Sequence, residues 1–169
     1  MKALMSYAGS ENPVYAQPFT VVDPRGFVWT VATNLVWLVA VKDRGAAPRF
    51  RGEFNALGTV LKMLRMEPAE AVEFESKDVL KRLDPEGLGR ILGVVVSMRR
   101  LQDLLAGIPA EKLTAWNVTG PIGLPALAFA SEGWRAFLMG FRDSYDVDDF
   151  SLLPPGRELF DLAMGLDDA

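Results

Sequence analysis

Apolar and polar positions across residues 93–142 change period several times. A short apolar run, Val94-Val95-Val96, meets Ser97, a residue type that caps helix N-termini. Met98, Leu101, Leu105 and Ile108 then fall on one helical stripe, with Arg99, Arg100, Gln102 and Asp103 off it. Pro109 marks a turn, and residues 111–118 read as a strand. Thr119-Gly120-Pro121 turns the chain. Residues 124–130 and 134–141 form a closing hairpin across Ser131-Glu132-Gly133. The stretch predicts strand, helix and three strands.

The rest of the chain reads as weaker versions of the same unit. Residues 2–7 fit a helical turn or a strand equally well. Phe19–Val22 reads as a strand, and Asp23-Pro24-Arg25-Gly26 as a turn, with Pro24 presetting φ and Gly26 supplying a permissive position. Residues 27–32 and 35–41 predict a strand pair carrying Trp29 and Trp37. Residues 49–53 read as a short strand. Asn55 caps a predicted helix to Met66 with Leu57, Val60, Leu61 and Leu64 on its buried stripe and Lys62 and Arg65 off it. Residues 71–74 read as a strand. Residues 78–83 fit a strand or one helical turn, and Asp84-Pro85-Glu86-Gly87 is a turn. Residues 90–96 read as one strand leading into the second helix.

Two passages share a plan. Residues 51–74 give strand, helix, Pro68-Ala69-Glu70, strand. Residues 92–116 give strand, helix, Pro109-Ala110-Glu111, strand. After residue 142 the composition shifts: Asp143, Asp146, Asp148 and Asp149 crowd together, and Pro154-Pro155-Gly156 breaks the chain. The expected organisation is one domain over 1–142, then an acidic loop and short helical tail over 143–169.

These passages resemble the bacterial DNA polymerase sliding clamp (beta subunit) family, a remote and partial likeness over residues 13–142. Its first part is NPVYAQPFTVVDPRGFVWTVATNLVWLVAV, with Ala32-Thr33 ending a strand as in the family. There the family continues Asp-Gly and this chain has Asn34-Leu35. The ending GWRAFLMGFR is similar to the family's closing strand, with Gly140 in place of a Pro. The resemblance implies an α+β, DNA-clamp-like fold, with two helices packed on a curved, mainly antiparallel sheet. It also implies that the outer helix faces line a DNA channel, which would make Lys62, Arg65, Arg99 and Arg100 the DNA-facing residues. Positive charge there would touch phosphates without reading bases. The implied partners are the DNA backbone, held without sequence preference, or a replication protein.

Composition narrows the chemistry. The 169 residues, half of them hydrophobic, suffice for one domain with a real core. No apolar run nears the roughly 18 residues of a membrane span, so no membrane partner is expected. The N-terminal apolar run is too short for a signal peptide, which makes a cytoplasmic location the expectation. Arg outnumbers Lys and Gln is scarce, as in a thermophile or a GC-rich genome. There is no Cys and no His, which removes Cys nucleophiles, His bases and disulfides. A non-enzymatic protein without cofactor or metal is therefore expected. The net charge of −4 argues against coating nucleic acid through bulk charge and leaves a local basic face open.

Other motifs are bland. The aspartates at 143–149 lack the Gly and terminal Glu of a calcium loop and read as a solvated acidic loop. Gly120-Pro121-Ile122-Gly123 is not followed by the Lys of a phosphate loop and reads as a turn. The leading expectation is a DNA-clamp-like replication accessory. The alternative is an interaction or regulatory module that keeps the fold without binding DNA. Because residues 134–141 read as an exposed final edge followed directly by acidic residues, a monomer or small dimer is expected, not a ring of about six copies.

Overall fold

Seven of the alternating segments pair into one antiparallel sheet in the computed structural model, which describes residues 18–34, 36–42, 64, 71–119, 125–142 and 146–154. In chain order the elements are β1 (Phe19–Val22), β2 (Val28–Thr33), β3 (Trp37–Lys42), β4 (Val72–Glu75), α1 (Ser76–Arg82), β5 (Leu88–Ile91), β6 (Val94–Ser97), α2 (Met98–Gly107), β7 (Lys112–Thr119), β8 (Pro125–Ser131) and β9 (Trp134–Met139). The large sheet runs β1-β2-β3-β9-β8-β7-β4, and β5-β6 form a separate hairpin. The described residues thus fold as α+β, with two helices and antiparallel strands. Neither helix is long and apolar enough to cross a membrane.

Strand alternation sends neighbouring side chains to opposite sheet faces, and here both faces are buried. On one face Val39, Leu138, Leu127, Phe129, Leu113 and Phe74 pack with Val79 of α1 and Leu101, Leu104 and Leu105 of α2. The other face holds Trp29, Val31, Leu38, Phe137, Ala128 and Trp116, with Leu64 against them. Leu64 is helical and fully buried, as the predicted 55–66 stripe requires. The other residues of the predicted helix, including Lys62 and Arg65, lie outside the described residues, as does the expected strand at 49–53.

Two expectations change, and one reading left open is decided. Residues 90–96 are not one strand: β5 and β6 are joined by a tight turn at Leu92-Gly93, with φ of 49° and 81°. Two positive φ values suit the twist of a two-residue hairpin. Asn117 Nδ2 donates to the Leu92 carbonyl at 2.8 Å and helps hold the turn. Residues 76–82 resolve as a helix, pinned by an Asp78–Arg82 pair at 2.9 Å one turn apart. Finally, β9 is no edge. It pairs with β3 through Trp37↔Leu138 and with β8 through Phe129↔Ala136, so it lies inside the sheet. The reason is long-range pairing, which a local apolar pattern does not encode.

The hairpin β5-β6 is held close to the end of β9. Phe141 N–H donates to the Val95 carbonyl at 2.9 Å and Gly140 N–H to the Pro125 carbonyl at 2.8 Å. That approach requires glycine. A Cβ at Gly140 would meet Val94 Cγ1 at 2.5 Å and the Pro125 and Val95 carbonyl oxygens at 3.1 Å. Gly140→Ala is expected to cost about 1–3 kcal/mol by overpacking, read as a lower urea midpoint. Gly89→Ala meets only the flexible Met98 thioether, at 2.7 Å, and should cost less. Equal losses would show that backbone proximity at Gly140 is not the constraint.

Candidate nucleic-acid interface

Helix α2 forms because Ser97 caps it and its apolar residues share a face. Ser97 Oγ accepts from the Arg100 amide at 3.3 Å. Met98, Leu101, Leu104 and Leu105 are buried, which turns Arg99, Arg100 and Asp103 out to solvent. Helix α1 packs beside α2 over the same sheet face. Its Val79 is buried, and Lys77 and Lys81 are exposed.

The outer surface of this helix pair therefore carries Lys77, Lys81, Arg99 and Arg100. None of the four makes an ion pair among the described residues. The one exposed acid on the solvent side of α2 is Asp103. Of the four residues expected to face DNA, the structure places Arg99 and Arg100 on an outward helix face, and Lys62 and Arg65 fall outside the described residues. Sequence reasoning missed Lys77 and Lys81. Their one signal was Asp78 and Arg82 four residues apart, a spacing that fits a helical ion pair but is too weak alone to choose helix over strand.

Beside α1 lies a strap, residues 146–154. Arg90 N–H donates to the Asp148 carbonyl at 3.0 Å, and Phe150 N–H donates to the Arg90 carbonyl at 2.8 Å. These bonds add the strap to the outer edge of β5 through a parallel Arg90↔Asp149 bridge. Arg82 of α1 donates to the Ser151 and Leu152 carbonyls at 3.0 and 3.3 Å, and its guanidinium carbon lies 5.1 Å from the Phe150 ring centroid. Leu152 is 3% exposed and joins the core beneath the helices. An open groove of about 630 Å3 runs beside the strap, lined by Val72, Leu92, Phe150 and Leu153 with the Arg90–Asp149 pair.

The aspartates of the strap do not gather. No group of three or more acidic residues able to hold a metal ion occurs among the described residues; Asp143 lies outside them. The Gly120–Gly123 turn is also outside the described residues. The turn at residues 131–133 is the β8-β9 hairpin turn, with Gly133 at φ 75°.

One ionised group is buried away from the helices. The Asp23 carboxylate, 0% exposed, sits in the β1-β2 turn. Its Oδ1 accepts from the Arg25 and Phe27 amides at 2.9 and 3.1 Å, and its Oδ2 from Arg25 Nη2 and Trp29 Nε1 at 3.0 and 3.1 Å. Burial pushes its pKa up, but bonds from the Trp29 and Arg25 side chains and the Phe27 and Arg25 amides outweigh burial and hold it below the ordinary 3.8. Phe27, half exposed, is capped by Lys42, whose Nζ is 3.8 Å from the ring centroid. The sequence marked this turn, but nothing in it marked the carboxylate as buried.

No protein-family model matches the chain. No curated protein matches it in sequence. Among solved structures it is similar to the DNA polymerase III beta subunit of Thermotoga maritima, with a TM-score of 0.46 and 10% identity over 92% of this chain. The chain spans 62% of that subunit's length.

Proposed function

We propose that the protein is a non-enzymatic, clamp-like, DNA-associated protein that lays the outer surface of α1 and α2 against the phosphate backbone. One observation carries this reading: Lys77, Lys81, Arg99 and Arg100 stand exposed on two neighbouring helices, with no acidic partner among the described residues. Four exposed cations on one helix pair give a local positive field that suits a polyanion. Such an interface positions without reading sequence, so affinity is weak, non-specific and salt-dependent. A replication accessory role fits.

The test is binding to duplex DNA across a salt series. Wild type is expected to bind at low ionic strength and release as salt rises. Arg99→Ala with Arg100→Ala should weaken binding and reduce the slope of log K against log salt by about two, one for each phosphate no longer neutralised. Unchanged affinity and slope in that variant would refute the interface. The second reading, an interaction module without DNA, is favoured by the open groove beside the strap. Its apolar lining, Val72, Leu92, Phe150 and Leu153, with a charged pair at Arg90 and Asp149, suits a polypeptide better than a phosphate chain.

A further inference from the structure

Strand β4 closes one end of the large sheet. Among the described residues it pairs with β7 alone, so the backbone groups on its other side are open to a partner. That edge faces the strap across a cleft. At Val72 the cleft is the open groove of about 630 Å3. Past Leu153, which lines both, it continues as a smaller pocket of about 130 Å3 against Glu73, Phe74, Glu75 and Lys112. The strap itself is held through Arg90 and Arg82, so an extended chain already sits on the neighbouring edge, that of β5.

The strand reads Val72-Glu73-Phe74-Glu75, and its alternation sets what can pair with it. Val72 is half-buried in the groove with Leu92, Phe150 and Leu153, and Phe74 is buried on the same strand face. Glu73 and Glu75 are exposed on the other face. Lys112 stands 3.9 Å from Glu73 with both side chains 67% exposed, a loose pair that leaves the edge net acidic. Charge separates the possible occupants. A second copy would set Glu73 and Glu75 against their own counterparts, which repels. The chain's own residues 155–169 hold four acids and one base. A basic strand complements both glutamates.

We infer that the β4 edge is a strand-addition site for an extended segment of another protein, one that alternates apolar residues with Lys or Arg. Its backbone pairs with β4, its apolar side chains enter the groove beside Val72, Leu92, Phe150 and Leu153, and its basic side chains meet Glu73 and Glu75. The inference rests on the reading of that groove as a polypeptide site and is independent of α1 and α2 as a DNA surface. The glutamates also act while the site is empty, because charge on an open edge discourages pairing with the wrong strand.

The test uses the full chain and a dilute fluorescein-labelled peptide of about nine residues alternating Val with Lys, read by anisotropy at about 0.15 M salt, where long-range charge attraction is screened. Saturable binding is expected. A peptide alternating Val with Glu should bind about tenfold more weakly. Glu73→Gln with Glu75→Gln should shrink that preference severalfold at an unchanged melting temperature, since both side chains are exposed. Backbone pairing is tested apart from charge by N-methylating the Val-Lys peptide at every other residue, in each of the two frames. At least one frame should lose about tenfold, because its methyl groups replace the amides that face β4. If both frames bind like the parent, the edge site is refuted while the groove still takes a polypeptide. If no peptide binds, both fail. A preference unchanged in the glutamine pair refutes the role of Glu73 and Glu75. A dimer that tightens in the glutamine pair would give the edge to a second copy instead. DNA binding through Arg99 and Arg100 is read separately by the salt series.

Discussion

Leu101→Ala is expected to destabilise the protein by about 2–5 kcal/mol, the range for truncating a fully buried leucine. Leu101 is 0% exposed and sits between α2 and the sheet, in the cluster that also holds Leu104, Leu105, Leu127, Leu138 and Val79. Two effects add. The deleted side-chain carbons no longer leave water on folding, and the cavity left behind collapses only partly, because strands on the far side are fixed by their pairing. The neighbours Arg99→Ala and Gln102→Ala, on the outer side of the same helix, should change stability by less than about 0.5 kcal/mol. Chemical denaturation of the three variants decides it. A loss at Leu101 no larger than at Arg99 would show that α2 presents a different face to the core. That would also remove Arg99 and Arg100 from the outer surface, so the stability result bears on the interface.

How far the sequence disclosed this arrangement depended on element length and on how local the cause was. The apolar stripe of α2 repeats over ten residues, long enough for its period to be read, and it separated Arg99 and Arg100 from the core correctly. Helix α1 has seven residues and only Val79 and Leu80 as large apolar ones, too few to distinguish a helix from a strand. Lys77 and Lys81 stayed hidden for that reason. The turn at Leu92-Gly93 interrupts an apolar run with no polar residue, so the hairpin was invisible even though Gly93 supplies a positive φ. The place of β9 inside the sheet depends on Trp37↔Leu138, a pairing between distant parts of the chain. Nor does the sequence show that residues 146–154 return to β5. Their aspartates suggest a solvated loop, whereas the deciding interactions are backbone carbonyls gripped by Arg82 and Arg90.

Asp23→Asn is expected to cost about 2–4 kcal/mol near neutral pH, from the loss of several bonds to a buried charge. The amide cannot serve the four donors that the carboxylate serves. Whichever way it turns, its NH2 group faces two donors, either the Arg25 and Phe27 amides or Arg25 Nη2 and Trp29 Nε1. Trp29 is 3% exposed, so its indole N–H has no water to turn to. The pH dependence gives a sharper test. Because the folded pKa of Asp23 lies below its ordinary value of 3.8, the folded state favours the charged form. Its contribution is complete above the unfolded pKa. It declines as pH falls from about 3.8 toward the lowered folded value and is gone below both. The variant has no such group to titrate. The stability gap between wild type and Asp23→Asn should therefore stay constant from pH 7 to 5 and narrow below about pH 4. Urea denaturation at stepped pH measures that gap directly. A gap that holds its full width down to about pH 2 would mean that the carboxylate contributes through shape and not charge, and that packing alone holds the β1-β2 turn.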